Sequence, residues 1–535
     1  MIYEENYDIE NGKREEKGER EEKGESKQKF LGEGSYGCVI KPGYDCYGKT
    51  NNSKRAVTKI TEINFASKNE LDISEIIKNI KFNNKKIYYY HFVPIIKKCI
   101  VKYNILKNFE MNKCTNFLDN KKIYYYHFVP IIKKCIVKYN ILKNFEMNKC
   151  TNFLDNINES FDFNNNLLKK EFFLFTLKYI NGLKIKKYLL GKNFNDEYYS
   201  KLNAIDNVNN SFNEYKIFVN NYINSYYYLL KSITLMQENN IIHNDLYNRN
   251  IIFDFKNNKP LVIDFGLSYD KNKFYKNINK QTIDIKYINK FIFHYKEQHF
   301  DYNSEKRFVS FIIDNEEHYF TNKVLKSYQK NELTKHIIDF FINDIINSIK
   351  KTNFVNFIFE NNEFDYYKTP LEKFYYKFLD KKKYDTYFKI VKELLPSVFE
   401  YTDLFSLTLE YIEILFYYKN NDNFNKKKSN GLLYVLIQLF KIIILPDTDQ
   451  KINSQQMIYI IKFIMNKINT CVINSEFNNE IILQEFYNEL KKHNINVELF
   501  NNKEYAYFDF KKDLFNIDII KDIKELNIKL YKFDY

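Results

Sequence analysis

The stretch "IIHNDLYNRNIIFD", residues 241–254, decides the reading of this chain. An apolar pair runs into His243, Asp245 follows two residues on, and Asn250 comes five after that. Arg249 stands just before the amide, and a β-favouring run then closes on Asp254. A plain surface turn needs neither a lone carboxylate nor an amide at fixed spacing between two apolar segments. Working outward, "LVIDFGLS" (261–268) is an apolar strand that ends in Asp264-Phe265-Gly266. Residues 250–265 therefore predict two short strands joined by a polar turn. Residues 215–239 predict an amphipathic helix and "EFFLFTLKYINGL" (171–183) a buried strand.

Near the start, "FLGEGSYGCVIKPG" (30–43) spaces Gly32, Gly34 and Gly37 as G-x-G-x-x-G, with Val39 just after. Glycines at this spacing let a backbone approach phosphates or take φ > 0. A dinucleotide-binding loop would feed straight into a helix. Here the glycines lead into the strand-like "CVIKPGY", which predicts a glycine-rich β-hairpin. "RAVTKIT" (55–61) then sets Lys59 in a β-branched strand. "SKNELDISEIIKNI" (67–80) has helix periodicity, with Glu70, Ile73, Ile77 and Ile80 on one face and Glu75 as a competing acid.

Glycine loop, strand lysine, helix glutamate, His-x-Asp loop with its asparagine, and Asp-Phe-Gly, in this order, resemble the eukaryotic-type protein kinase superfamily. The chain looks like a divergent serine/threonine-protein kinase, similar to those of large DNA viruses. The resemblance covers about 29–80 and 171–269, and more faintly 401–457. It implies an α+β, two-lobed fold, with a small β-rich N-lobe and a larger helical C-lobe carrying insertions. It implies ATP and Mg²⁺ (or Mn²⁺) as cofactors and a protein substrate. In that family the backbone of Gly32, Glu33, Gly34, Ser35 and Gly37 would cover the phosphates. Lys59 would contact the α and β phosphates, held by Glu70. Asp264 and Asn250 would hold metal, and Asp245 would take the proton of the attacking hydroxyl. The opening loop then has a reason: it presents a base and a metal ligand to one phosphate. "TLKYINGL" (176–183) looks like the hinge, with Leu177 as gatekeeper, Lys178 and Ile180 at the adenine, and Val39 and Val57 over its face. Asp403 matches the aspartate that ties the catalytic loop down from a buried helix.

The pattern also departs from the family. Asn244 replaces the His-Arg-Asp arginine that reads an activation-loop phosphate, which predicts constitutive or otherwise controlled activity. Tyr247 stands where serine/threonine kinases usually carry lysine, and Arg249 could supply that charge, as in some tyrosine kinases. This leaves Ser/Thr against Tyr open, with family frequency favouring Ser/Thr. No Ala-Pro-Glu motif stands between Asp264 and Asp403, and Lys451 replaces the arginine partner of its glutamate. Both halves of that ion pair therefore read as altered together.

Composition narrows the rest. Lys plus Arg is 82 against 68 acids, a net +14 dispersed along 535 residues, which reads as a solvated surface and argues against a nucleic-acid partner. Seven cysteines with no Cys-x-x-Cys pair fit free thiols in a reducing, cytoplasmic setting. No apolar run reaches the length of a membrane span, and no secretory signal is visible. Residues 1–28 are charged, glycine-dotted repeats and predict disorder. Residues 85–120 recur letter for letter as 121–156, so only one copy can fill any one slot. His91 and His127, one in each copy, read as structural or exposed rather than as ligands. The domain reading is a kinase domain over 29–469, with an N-lobe of about 29–180 including the duplication and a C-lobe of about 181–469. The latter carries a lysine-rich insert at about 270–400, and 470–535 follows as an extension. Two other functions share these motifs: a small-molecule kinase of choline or aminoglycoside type, and a pseudokinase scaffold.

Overall fold

The structure, a computed structural model, describes residues 29–34, 37–41, 43, 56–82, 85–86, 91–92, 95–100, 136–138, 171–191, 210–277, 282–283, 293, 302–321, 333–352, 364–384, 387–419, 431–444, 451–470, 479–497 and 517–530. The charged N-terminus 1–28, Ser35 and His127 lie outside the described residues.

The glycine-rich segment forms the hairpin its sequence predicts. Strands β1 (Lys29–Gly34) and β2 (Gly37–Lys41) pair antiparallel, with Gly34 opposite Gly37. The sheet continues through β3 (Ala56–Glu62), and its further strands are β4 (Ile95–Ile100), β5 (Ile136–Lys138) and β6 (Glu171–Lys178). The order is β1-β2-β3-β6-β4, and β5 also pairs with β6. Strands β4 and β5 come from the two identical copies. Ile100 and Ile136, the same residue of each copy, both face Phe173 of β6. The duplicated sequence thus addresses one sheet edge in one register.

Helix α1 (Phe65–Lys78) follows β3 and starts at a reciprocal cap. The Asn64 side chain accepts from the Ser67 backbone N–H, and the Ser67 hydroxyl accepts from that of Asn64, both at 3.0 Å. Such a cap satisfies donors that have no partner in the first turn. The buried face carries Ala66, Glu70, Ile73 and Ile77, so the apolar stripe carries Glu70 inward with it.

The stretch expected as one strand at 171–183 is two. The chain leaves the sheet after Lys178, and β7 (Gly182–Lys184) joins β9 (Ile251–Asp254) and β10 (Lys259–Val262) in the order β10-β9-β7. Gly182 lies so close to the Phe253 carbonyl that a side-chain carbon there would sit on top of it. A second strand pair joins β8 (Ile241–Ile242) to β11 (Tyr269–Asp270). The segment 243–250 therefore lies between β8 and β9, and 263–268 between β10 and β11. Pairing β9 with β10 and β8 with β11 clamps the two loops side by side.

The helical body centres on α3 (Asn210–Glu238), the helix expected near 215–239. Short helix α2 (Ile185–Leu190) precedes it. Buried tyrosine hydroxyls on α3 find partners in α7 (Tyr387–Lys419): Tyr222 donates to the Tyr411 carbonyl at 2.8 Å, and Tyr226 hydrogen-bonds Thr408 at 2.9 Å. The lysine-rich stretch between these helices holds α4 (Ser304–Thr321), α5 (Lys335–Lys351) and α6 (Phe364–Tyr376). Arg307 pairs with Asp344 at 2.6 Å, both buried, and so joins α4 to α5. Beyond lie α8 (Gly431–Ile444), α9 (Ser454–Thr470), α10 (Asn479–Lys492) and α11 (Ile517–Leu526). The last is built into the body: Ile520 and Ile523 are buried, and Asn224 of α3 donates to the Lys529 carbonyl at 3.0 Å.

Candidate active site

The pattern of burial on α1 decides between the two acids. Lys59 Nζ lies 3.1 and 3.0 Å from the two carboxylate oxygens of Glu70 and 3.5 Å from Asp264 Oδ1. Glu75 pairs with Lys78 at the surface instead. Burial disfavours the Lys59 ammonium, but Asp264 and Glu70 outweigh it and raise its pKa above that of an ordinary lysine. Burial lifts the Glu70 carboxyl to about 7 against the pull of Lys59, and Asp264 adds to the lift. One ammonium thus faces two carboxylates, and the site has negative charge to spare.

Asp264 has φ +57° and Asn244 φ +66°, both in the left-handed region that non-glycine residues avoid. The neighbours of each hold it there. Phe265 is fully buried, edge-on to His243 with centroids 5.0 Å apart and to Phe92 at 6.1 Å. With the phenyl ring packed inward, the Asp264 carboxylate faces Lys59. Asn69 of α1 donates to the carbonyls of Gly266, at 3.3 Å, and Ser268.

The loop 243–250 is fastened from several sides. Asp403 on α7 accepts the backbone N–H of His243 at 2.7 Å and that of Asn244 at 2.8 Å. His243 Nε2 donates to the Ile263 carbonyl at 2.9 Å, and its Nδ1 accepts the Asp245 N–H at 3.3 Å, which fixes the tautomer. Both oxygens of Asp245 are engaged: Arg249 reaches Oδ1 at 2.5 Å, and Asn250 Nδ2 donates to Oδ2 at 2.7 Å. The amide thereby turns its Oδ1 away from Asp245. That oxygen is buried and has no hydrogen-bond partner among the described residues. A buried acceptor left in this state costs about 1–3 kcal/mol. Together with the Asp264 carboxylate it makes a hard-oxygen donor set suited to Mg²⁺. The residues present fit such a cation. Among the described residues no cluster of three or more His, Cys, Asp or Glu side chains makes a separate metal site.

Leu177 is fully buried opposite Val57, and Val39, Val57, Leu177, Leu261 and Ile263 pack in one apolar cluster. Lys178 and Ile180 are half-buried beside it. Gly32, Glu33, Gly34 and Gly37 lie in the β1–β2 hairpin. His91 is buried on Ser232, with Nδ1 and Oγ 2.9 Å apart, which fits its structural reading.

Lys451, read as standing in an arginine's place, does find an acidic partner. Lys451 pairs with Glu305 of α4, and both are buried. Glu305 stands in Asn303-Ser304-Glu305, which carries no Ala-Pro. Several acids lie along this lysine-rich stretch, and only the contact identifies this one. Lys306, the next residue, was likewise invisible as a site residue. It is fully buried and donates to Asn244 Oδ1.

A sheet with one inward-facing helix, two clamped loops and a lysine–glutamate–aspartate contact thus meet at one place in the fold. The family model for protein tyrosine and serine/threonine kinases matches residues 26–306, more than half of the chain, and the chain belongs to that family. The search of curated proteins returned no match. Among the described residues no helix is long and apolar enough to cross a membrane.

Proposed function

We propose that this chain transfers the γ-phosphate of ATP to a hydroxyl of a protein substrate, serine or threonine by the commoner habit of its family. The observation that carries the reading is the contact of Lys59 with both Glu70 and Asp264, residues 11 and 205 positions away. Phosphoryl transfer is mostly positioning and charge stabilisation, and these groups supply both. The sheet and α1 act as a small lobe over the helical body, with Val39 and Val57 over the face of the adenine. The hinge backbone at Lys178 and Ile180 meets its edge. The backbone of Gly32, Glu33, Gly34 and Gly37 covers the phosphates, and Lys59 holds them.

Asp264 and Asn250 Oδ1 would hold Mg²⁺ (or Mn²⁺), which supplies charge neutralisation at the phosphates when bound. Asp245 takes the proton of the acceptor hydroxyl as the new O–P bond forms and the β–γ bridge breaks, releasing ADP. Asn250 orients the Asp245 carboxylate, and Arg249 stabilises the charge beside it. The buried Glu305–Lys451 pair supports a protein acceptor, because it braces α4 just beyond the segment that a peptide would meet.

The test is transfer of label from γ-labelled ATP to a generic basic protein and to the chain itself, followed by phosphoamino-acid analysis. Label on serine and threonine supports the full reading, and label on tyrosine keeps the activity but overturns the acceptor assignment. ATP binding without transfer to any protein overturns the kinase reading.

A further inference from the structure

Asn244 raises a physical question. It holds a left-handed backbone and is neutral, at a position where the family resemblance calls for an arginine that meets a phosphate. A neutral amide cannot form a charge-assisted pair with phosphate. Its backbone N–H and both polar atoms of its side chain are instead engaged within the chain. The backbone N–H goes to Asp403 at 2.8 Å, Nδ2 donates to the Leu267 carbonyl at 3.1 Å, and Oδ1 accepts from Lys306 Nζ. The amide thus links the catalytic loop to the Asp264-Phe265-Gly266 segment and to α4.

Lysine is almost never fully buried unless its charge is met. Lys306 is fully buried, and what meets it is specific. Its Nζ lies 3.2 Å from the centre of the Tyr302 ring, and its charge acts on the buried Asp403 carboxylate. The preceding residue, Glu305, is tied to Lys451, so the start of α4 is anchored and the lysine projects from a fixed base.

We propose that Lys306 is a positioning residue, a built-in cation that holds the catalytic loop in its working shape, so that catalysis does not require a phosphate on the segment between Asp264 and Glu305. The inference rests on the kinase reading above and concerns its regulation. In this arrangement the charge arrives from α4 with folding rather than from a modification after it.

Two readouts test it on the full chain. The first is kinetic: kcat and KM for ATP of wild type before and after phosphatase treatment, with loss of phosphate checked by intact mass, and of Lys306→Met, Lys306→Arg, Asn244→Ala and the Lys306→Met/Asn244→Ala double variant. Phosphatase treatment is expected to leave kcat within about twofold. Lys306→Met is expected to lower kcat on the order of 10²-fold, with KM for ATP little changed. Lys306→Arg should recover part of the loss. The double variant should be no slower than the slower single, as for two residues acting through one contact. The second readout is hydrogen exchange of a peptide spanning 241–254, which needs no turnover. Lys306→Met should lose protection there, and phosphate removal should not change it. A tenfold or greater fall in kcat on phosphate removal overturns the proposal. So does unchanged kcat, or unchanged loop protection, in Lys306→Met. A chain that transfers no label at all overturns the kinase reading, while the exchange result still decides whether Lys306 holds the loop.

Discussion

Replacing Asp403 by alanine probes the fastening of the catalytic loop most sharply. Its carboxylate accepts two backbone N–H groups, from His243 at 2.7 Å and Asn244 at 2.8 Å, and is 1 % exposed. A hydrogen bond to a charged group contributes about 1.5–3 kcal/mol net, so the two sum to about 3–6 kcal/mol. Burial takes part of this back. It holds the Asp403 carboxyl above the usual carboxylate range in spite of His243, Asn244 and Lys306, which all pull it down. Asp403→Ala relieves that burial but leaves the two backbone donors without their acceptor and removes a counter-charge that acts on Lys306. The expected loss is about 2–4 kcal/mol. Asp403→Asn keeps one acceptor and turns an N–H toward the other donor, so it should lose roughly half as much. Urea unfolding followed by far-ultraviolet circular dichroism and by tyrosine fluorescence measures both. The reasoning fails if Asp403→Ala unfolds within about 0.5 kcal/mol of wild type, or if the asparagine variant is the less stable of the two.

Three further consequences follow from contacts away from the reacting groups. Burial, with Lys259 and Lys231 adding to it, lowers the His91 pKa from 6.5 to about 3. A depressed pKa gives stability that is present above pH 6.5 and lost as pH falls toward 3; between pH 6.5 and 5 wild type should lose about 2 kcal/mol more than His91→Gln, by urea unfolding at both pH values, and equal losses would contradict the assignment. Gly182→Ala would drive a methyl onto the Phe253 carbonyl, with the carbonyl carbon only 2.9 Å away. Backbone cannot yield as a side chain can, so a loss of about 1–3 kcal/mol is expected, and a neutral result would mean that β7 and β9 pair differently. Deleting residues 121–156 should leave stability within about 1 kcal/mol, because Ile100 already faces Phe173 in the register that Ile136 adopts. A larger loss would give the second copy a place of its own.

How much of this was legible in the sequence depended on whether the signal was local. Glu70 could be chosen over Glu75 because its apolar neighbours at helical spacing had to face inward, and the ion pair with Lys59 follows from that. The spacing of Asp245 and Asn250 foretold a shared loop, since five residues cannot separate them far. The hairpin at Gly34 and Gly37 and the strands about the polar turn at 255–258 were local in the same way. The Glu305–Lys451 and Lys306–Asn244 contacts were not legible. They join residues 146 and 62 positions apart, and no spacing rule marks such a pair among so many lysines. The break after Lys178 is marked in the sequence only by the resemblance of 176–183 to a hinge and by Asn181-Gly182, and the approach of Phe253 to Gly182 shows the change of sheet. Helices α5 and α6 were hidden in lysine-rich sequence because their apolar faces bury on one another and on α4.

The central claim is that Asp245 removes the proton of a protein hydroxyl in a site organised by Lys59, Glu70 and Asp264. The most direct measurement is single-turnover transfer from γ-labelled ATP with Mg²⁺ by wild type and Asp245→Asn, with ATP binding measured alongside. Wild type should label protein, and Asp245→Asn should bind ATP as before but transfer about 10²–10⁴-fold more slowly. Transfer by Asp245→Asn at the wild-type rate, or none from folded wild type that binds ATP, would contradict the account.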